Sequence, residues 1–222
     1  MAMRIKQGFA SFYSGLSGRL RRSGWLAVGA SILAFLVYLA TLAPGLTNAN
    51  FGTDGGDLIA AARTLGVPHP SGYPTYTLLA WLFTHLPIGV LAYRVNLLSA
   101  VCAAAAIGIF FCTAQRLLPD DEYPLLLPAI TALMLAFSSL LWSQAVITEV
   151  YALLMLFASL LLWFLVRWRD DHHDRYLWLA AFTLGLALGN HLTILFWAPA
   201  ALVYLWPERR QWLRLRTVLP GV

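Results

Sequence analysis

Apolar positions fall into long, nearly uninterrupted runs, and short stretches between them hold most of the charge. The run at residues 25–43 has nineteen residues. As a helix that is enough to cross a hydrocarbon core of about 30 Å. Pro44 follows directly and disfavours cleavage as a signal peptide, so this run is read as an anchor. Runs of similar length occupy residues 94–114, 123–142 and 146–166. The stretch 176–206 has 31 residues, about 46 Å as one helix, too long for one span and short for two. Gly185, Gly189 and Asn190 lie near its middle and predict a tight hairpin turning at Asn190 and His191. Residues 73–86 are apolar and aromatic but number only 14, below the usual spanning length.

Charge decides how the short segment lies. With Arg4, Lys6, Arg19, Arg21 and Arg22 in the cytoplasm and residues 73–86 not crossing, only Arg63 and Arg94 of the 15 basic residues fall outside. If the segment crossed, every later loop would flip and most basic residues would leave the cytoplasm, against the positive-inside rule. Residues 73–86 are therefore expected to lie on, or dip into, the outer face. The predicted fold is all-α: a polytopic membrane protein of about six spans with outer-face juxtamembrane helices and both termini cytoplasmic. It divides into a basic N-terminal segment (1–24), a transmembrane domain (25–206) with an outer loop at 44–93, and a basic tail (207–222).

Composition agrees. Hydrophobic residues make up 60%, charged residues 11%, and mean hydropathy is +0.70. A soluble domain carries roughly 45–50% apolar and about 25% charged residues. Disorder, collagen, coiled coil and a secreted disulfide scaffold are excluded. The net charge of +5 sits beside apolar runs, so it orients the chain in a membrane, and no nucleic-acid partner is expected.

The topology sorts the polar residues. The outer face holds the carboxylates Asp54, Asp57 and Glu149, with Arg63, His69, Arg94, Asn190 and His191. Ionisable groups at a membrane edge are functional candidates by default. Asp54-Gly55-Gly56-Asp57 opens a helical pattern. Capping explains both aspartates, but not the two glycines, which permit close approach to the backbone. Three prolines and a glycine between Pro68 and Pro74 make a rigid turn around His69. Glu149 lies at the outer end of the fourth run and either serves a site or pairs with Arg94. There is no G-x-S-x-G, Walker A, HExxH or CxxC pattern.

These residues resemble a known family. Pro44-Gly45-Leu46-Thr47, the Asp54–Asp57 loop, Leu65 through Pro74, Glu149-Val150-Tyr151 and Gly185 through His191 are similar to motifs of the GT-C membrane glycosyltransferases. The branch they resemble is that of the transmembrane protein O-mannosyltransferases and their bacterial relatives. Its pattern has D-x-G-E, L-G-x-x-H-P-P-G, E-V-Y and G-x-x-x-G-N-H elements. Here Asp57 stands where glutamate is usual, and Ser71 replaces the second proline. The resemblance covers residues 25–206, the N-terminal catalytic half of the family's usual length, as a fragment, a truncated product or a stand-alone module.

The resemblance implies an inverting transfer of a sugar from a polyprenyl-phosphate donor to a protein or glycan acceptor at the outer membrane face. It implies Asp54 as the base, with Asp57 and Glu149 as further catalytic carboxylates. Glu149 would orient the acceptor or share a divalent ion with Asp54. Arg94 would hold the donor phosphate, and His69 and His191 would hydrogen-bond phosphate or sugar. Asn190, Tyr73 and Arg63 complete the substrate-binding set, and the aromatic segment after Tyr73 would line a lipid groove. A bacterial plasma membrane is the expected location. The alternative from another class is a non-catalytic lipid-binding subunit or a transporter-like scaffold.

Overall fold

The computed structural model describes residues 24–118 and 125–209. Every regular element among them is helical. The helices are α1 (Gly24–Ala40), α2 (Gly55–Thr64), α3 (Pro74–Thr84), α4 (Leu91–Leu117), α5 (Leu126–Ala136), α6 (Ser139–Ala145), α7 (Tyr151–Asp171), α8 (Arg175–Leu188) and α9 (Ala198–Leu205). Short 3₁₀ turns occupy Ala49–Phe51, Leu192–Trp197 and Trp206–Glu208. The predicted N-terminal basic segment and the end of the tail lie outside the described residues.

The centre of the bundle is α4, whose buried face is built largely from small residues: Ser99, Ala100, Ala103, Ala104, Ala106 and Gly108. Small side chains let apolar helices approach closely without help from water. At Gly108 the approach is tightest, because an added Cβ would collide with Ser31 of α1. Alongside α4, α7 runs parallel to it. Thr148, just before α7, bonds Asn96 near the start of α4, while Arg116 and Asp170 pair at their far ends at 2.7 Å. The return between them is α5 and α6, bent by 59°. The bend has visible causes. Ser138 caps α6 by accepting from the Leu141 N–H, and the Tyr38 hydroxyl of α1 donates to the freed Ala136 carbonyl at 2.7 Å. Backbone groups freed inside a membrane need such partners.

Two helices, α4 and α7, are long and apolar enough to cross a membrane, or three if the bent α5–α6 pair is one span. This is fewer than the six spans predicted, and it makes the chain an integral membrane protein. The apolar helices α1, α8 and Leu192–Glu208 are shorter. The differences have local reasons. Helix α7 starts at Tyr151 because residues 146–150 form an irregular connection, in which the Val146 carbonyl accepts from the Ala43 N–H. The long run 176–206 breaks at Gly189, Asn190 and His191, where the sequence placed the hairpin, and resumes as a 3₁₀ turn.

Arginines gather with aromatics at one end of the bundle. Arg167 pairs with Asp171 and lies over Trp163 and Tyr176, and Arg169 lies over Tyr204. At the opposite end sit α2, α3, the 146–150 connection and the 189–191 turn.

Candidate active site

Asp54 stands at the N-cap position of α2, but its side chain makes no capping bond. Its Oδ1 accepts a long bond from the Thr53 hydroxyl at 3.4 Å, and its Oδ2 lies 3.5 Å from Nε2 of His69. Capping therefore does not account for this carboxylate. Asp57, in the first turn of α2, accepts from both the His69 backbone N–H and Nδ1, each at 2.8 Å on the same oxygen, Oδ2. Those two bonds, the backbone one first, hold the Asp57 carboxyl below the usual range. They also assign a proton to His69 Nδ1, which leaves Nε2 facing Asp54 and the Tyr73 hydroxyl, 3.1 Å away.

The Pro68–Pro74 turn delivers His69 and Tyr73 together. Tyr73 precedes α3 with φ 44°, in the left-handed region. A bulky residue there is strained unless its surroundings hold it. Tyr73 is held by its contact with His69 and by a flat stack on His191, with centroids 5.8 Å apart and planes 7° apart. Gly55 packs against Leu46 and Thr148, so close approach to that glycine is made by the chain itself.

Glu149 comes from the 146–150 connection and is 5% exposed. Burial, and next the charge of Asp54, push its carboxyl up to about 7. His191 caps the 3₁₀ turn after α8. Its Nδ1 accepts from the Thr193 N–H and lies 2.8 Å from the Thr193 hydroxyl. Nε2 is then the protonated nitrogen, a fixed donor. Burial lowers its basicity. Asn190 is fully buried and donates to the Val150 carbonyl at 3.1 Å. It ties the hairpin to the Glu149 connection, and so holds the site together from behind.

Asp54, Asp57, His69, Tyr73 and His191 are thus brought together, with Glu149 close by. Arg94 and Arg63 are not. The Arg94 guanidinium donates to the carbonyls of Ile88, Thr84 and Gly89 at 2.7, 3.0 and 3.0 Å. Its donors close the loop after α3, and among the described residues no ion pair joins it to Glu149. Arg63 is exposed, with Nη1 3.5 Å from His85 Nε2. No group of three or more His, Cys, Asp or Glu side chains among the described residues is placed to hold a metal ion.

Sequence reasoning gave no site role to three residues. Asn96, buried on α4, donates to the Ala43 and Gly45 carbonyls and accepts from Thr148, clamping the outer loop to the Glu149 connection. A lone asparagine inside an apolar run was the available signal. Thr148 and Tyr151 carried no signal outside the E-V-Y element.

Residues 54–213 match the family described as the Protein O-mannosyl-transferase TMEM260 N-terminal domain. A mouse (Mus musculus) protein named Protein O-mannosyl-transferase TMEM260 is 39% identical over 186 residues, covering 82% of this chain and 25% of the relative. Protein O-mannosyl-transferase tmem260 of Dictyostelium discoideum is 29% identical over 176 residues, covering 72% and 20%. The chain spans a quarter or less of the length of these relatives. Both are eukaryotic, so nothing in them supports the expected bacterial membrane. No solved structure matches. The match across residues 54–213 takes in the carboxylate loop, the His69 turn, the E-V-Y element and the 185–191 hairpin: the chain belongs to the family of the TMEM260 protein O-mannosyl-transferase N-terminal domain.

Proposed function

We propose that this chain is the catalytic module of a membrane protein O-mannosyltransferase. It moves a mannosyl group from a polyprenyl-phosphate carrier to a protein hydroxyl, with inversion at the anomeric carbon. The six apolar segments α1, α4, α5–α6, α7, α8 and Leu192–Glu208 traverse the membrane in alternating directions. The arginine end faces the cytoplasm and the carboxylate end the opposite side.

The observation that carries this reading is the Asp54 carboxylate, free of any capping bond and set beside a His69 imidazole fixed by Asp57. Asp54 takes the proton of the acceptor hydroxyl as its oxygen attacks the sugar's anomeric carbon. The bond from that carbon to the phosphate oxygen breaks, and its electron pair leaves with the polyprenyl phosphate. The Nε2–H of His191 faces that departing charge, the role first considered for Arg94. Arg94 instead shapes the loop beneath. Asp57 orients His69, and Glu149, its carboxyl raised by burial, hydrogen-bonds the acceptor.

The test is Asp54→Asn, which keeps size and removes the charge. Transfer of mannose from a polyprenyl phosphate mannose to a peptide should fall about 10²-fold or more, with membrane insertion unchanged. Near-wild-type turnover would remove Asp54 as the base, whereas a wild type that transfers no mannose would return the chain to a non-catalytic, lipid-binding role.

A further inference from the structure

Tyr151 is the first residue of α7, directly after the connection that carries Glu149. Residues 145–150 are all buried, yet Tyr151 keeps 45% of its surface exposed. A large ring left open beside buried carboxylate chemistry has a neighbour that explains its position. Its centroid lies 5.4 Å from that of His191, tilted by 46°. His191 lies flat on Tyr73, and Tyr73 stands edge-on to His69 at 5.2 Å. The four rings form a continuous row. It starts at the half-open Tyr151 and ends at the imidazole that faces both Asp54 and Asp57.

A pyranose has a face of C–H bonds and a rim of hydroxyls. The C–H face is drawn to the electron-rich face of an aromatic ring. The rim needs hydrogen-bonding groups, and the Asp54 carboxylate supplies acceptors beside the row. A tyrosine also suits the membrane edge, where the head of a lipid-linked sugar must lie. The acceptor is a flexible peptide with no such face. We infer that Tyr151, with His191, is the wall against which the hexopyranose of the lipid-linked donor rests. This rests on the glycosyl-transfer reading above and adds a residue to it. The ring makes the contact, so the phenol hydroxyl is secondary.

The experiment uses the chain in its full natural reading frame, in bilayer discs. Wild type, Tyr151→Phe, Tyr151→Leu and Tyr151→Ala are each titrated with a short-chain polyprenyl phosphate mannose at fixed peptide acceptor. Tyr151→Phe keeps the ring and should raise donor KM by less than about threefold. Tyr151→Leu and Tyr151→Ala should each raise it about fivefold or more, with the larger change in donor KM rather than kcat. Inhibition by sugar-free polyprenyl phosphate should weaken much less than donor use. Three results would overturn the wall: donor KM unmoved in Tyr151→Ala, Tyr151→Leu indistinguishable from Tyr151→Phe, or acceptor KM rising in place of donor KM. An equal loss of inhibition by sugar-free lipid would assign the ring to the lipid and overturn it too. Wild type without transfer defeats the functional reading itself, whereas wild-type transfer with a flat Tyr151 series defeats the wall alone.

Discussion

Glu149 and Asp57 respond to burial and hydrogen bonding in opposite senses, so their effects on stability should run in opposite directions with pH. Glu149 is raised from 4.5 to about 7. Its contribution is complete below the unfolded value, declines as pH rises, and is gone above about 7. Asp57 is lowered by the two bonds from His69. Its contribution is present above its unfolded value and is lost as pH falls through the folded one. Glu149→Gln removes one titration and should flatten the melting temperature between about pH 4.5 and 7 relative to wild type. Asp57→Asn should leave that window unaltered and change the acid side. Thermal melts of the discs across pH 2–8 (roughly, from well below the ordinary carboxylate pKa values to above the raised one) check both; a Glu149→Gln profile parallel to wild type would show that Glu149 does not titrate there. Asp54 differs from both: the sequence offered a cap, and the structure leaves the cap unmade. Hydrogen bonding in three dimensions decides that, and residue order does not disclose it.

At the scale of elements, Arg94 marks where sequence reasoning stopped. Charge sorting placed it on the site's face, and a guanidinium there naturally suggests a phosphate. The carbonyls of Thr84, Ile88 and Gly89 are invisible to such counting, because every residue has one. With its donors engaged, Arg94 closes the C-terminal end of α3. Arg94→Ala should therefore cost about 1–3 kcal/mol of stability while leaving donor KM within about threefold. Arg94→Lys should be intermediate, because an ammonium cannot reproduce the fork. A tenfold rise in donor KM with an unchanged melting temperature would return Arg94 to the phosphate. Other elements were legible for equally physical reasons. Helix α4 follows from a long apolar run with small residues, and the 189–191 break from glycines beside polar residues. The 146–150 connection was hidden because its residues are as apolar as the helices around it. Its backbone carbonyls find partners elsewhere, in Ala43, Ser99 and Asn190, while the Thr148 hydroxyl donates to Asn96.

For the whole molecule, the contacts separate two ends. Carboxylates, His69 and the 189–191 turn occupy one; the Arg116–Asp170 and Arg167–Asp171 pairs occupy the other. The proposed alternation of direction through the apolar segments would give the arrangement expected from charge sorting. It also lets segments too short to span alone, α1 and α8, be covered by neighbours. The orientation itself is a separate matter, and labelling tests it. In a variant lacking Cys102 and Cys112, single cysteines at Ser71 and His172, both exposed, report opposite ends. A membrane-impermeant maleimide should reach the Ser71→Cys variant from the non-cytoplasmic side, and the His172→Cys variant only after the cytoplasmic side is opened. Reversal of both would keep the fold and turn the site towards the cytoplasm, which a carrier-lipid reaction on the far face does not allow. Labelling of both from one side would mean that the segments between residues 71 and 172, α4, α5–α6 and α7, cross an even number of times. The parallel alignment of α4 with α7 requires three crossings there, so that result would overturn the traverse assigned to α5–α6 before it touched the chemistry.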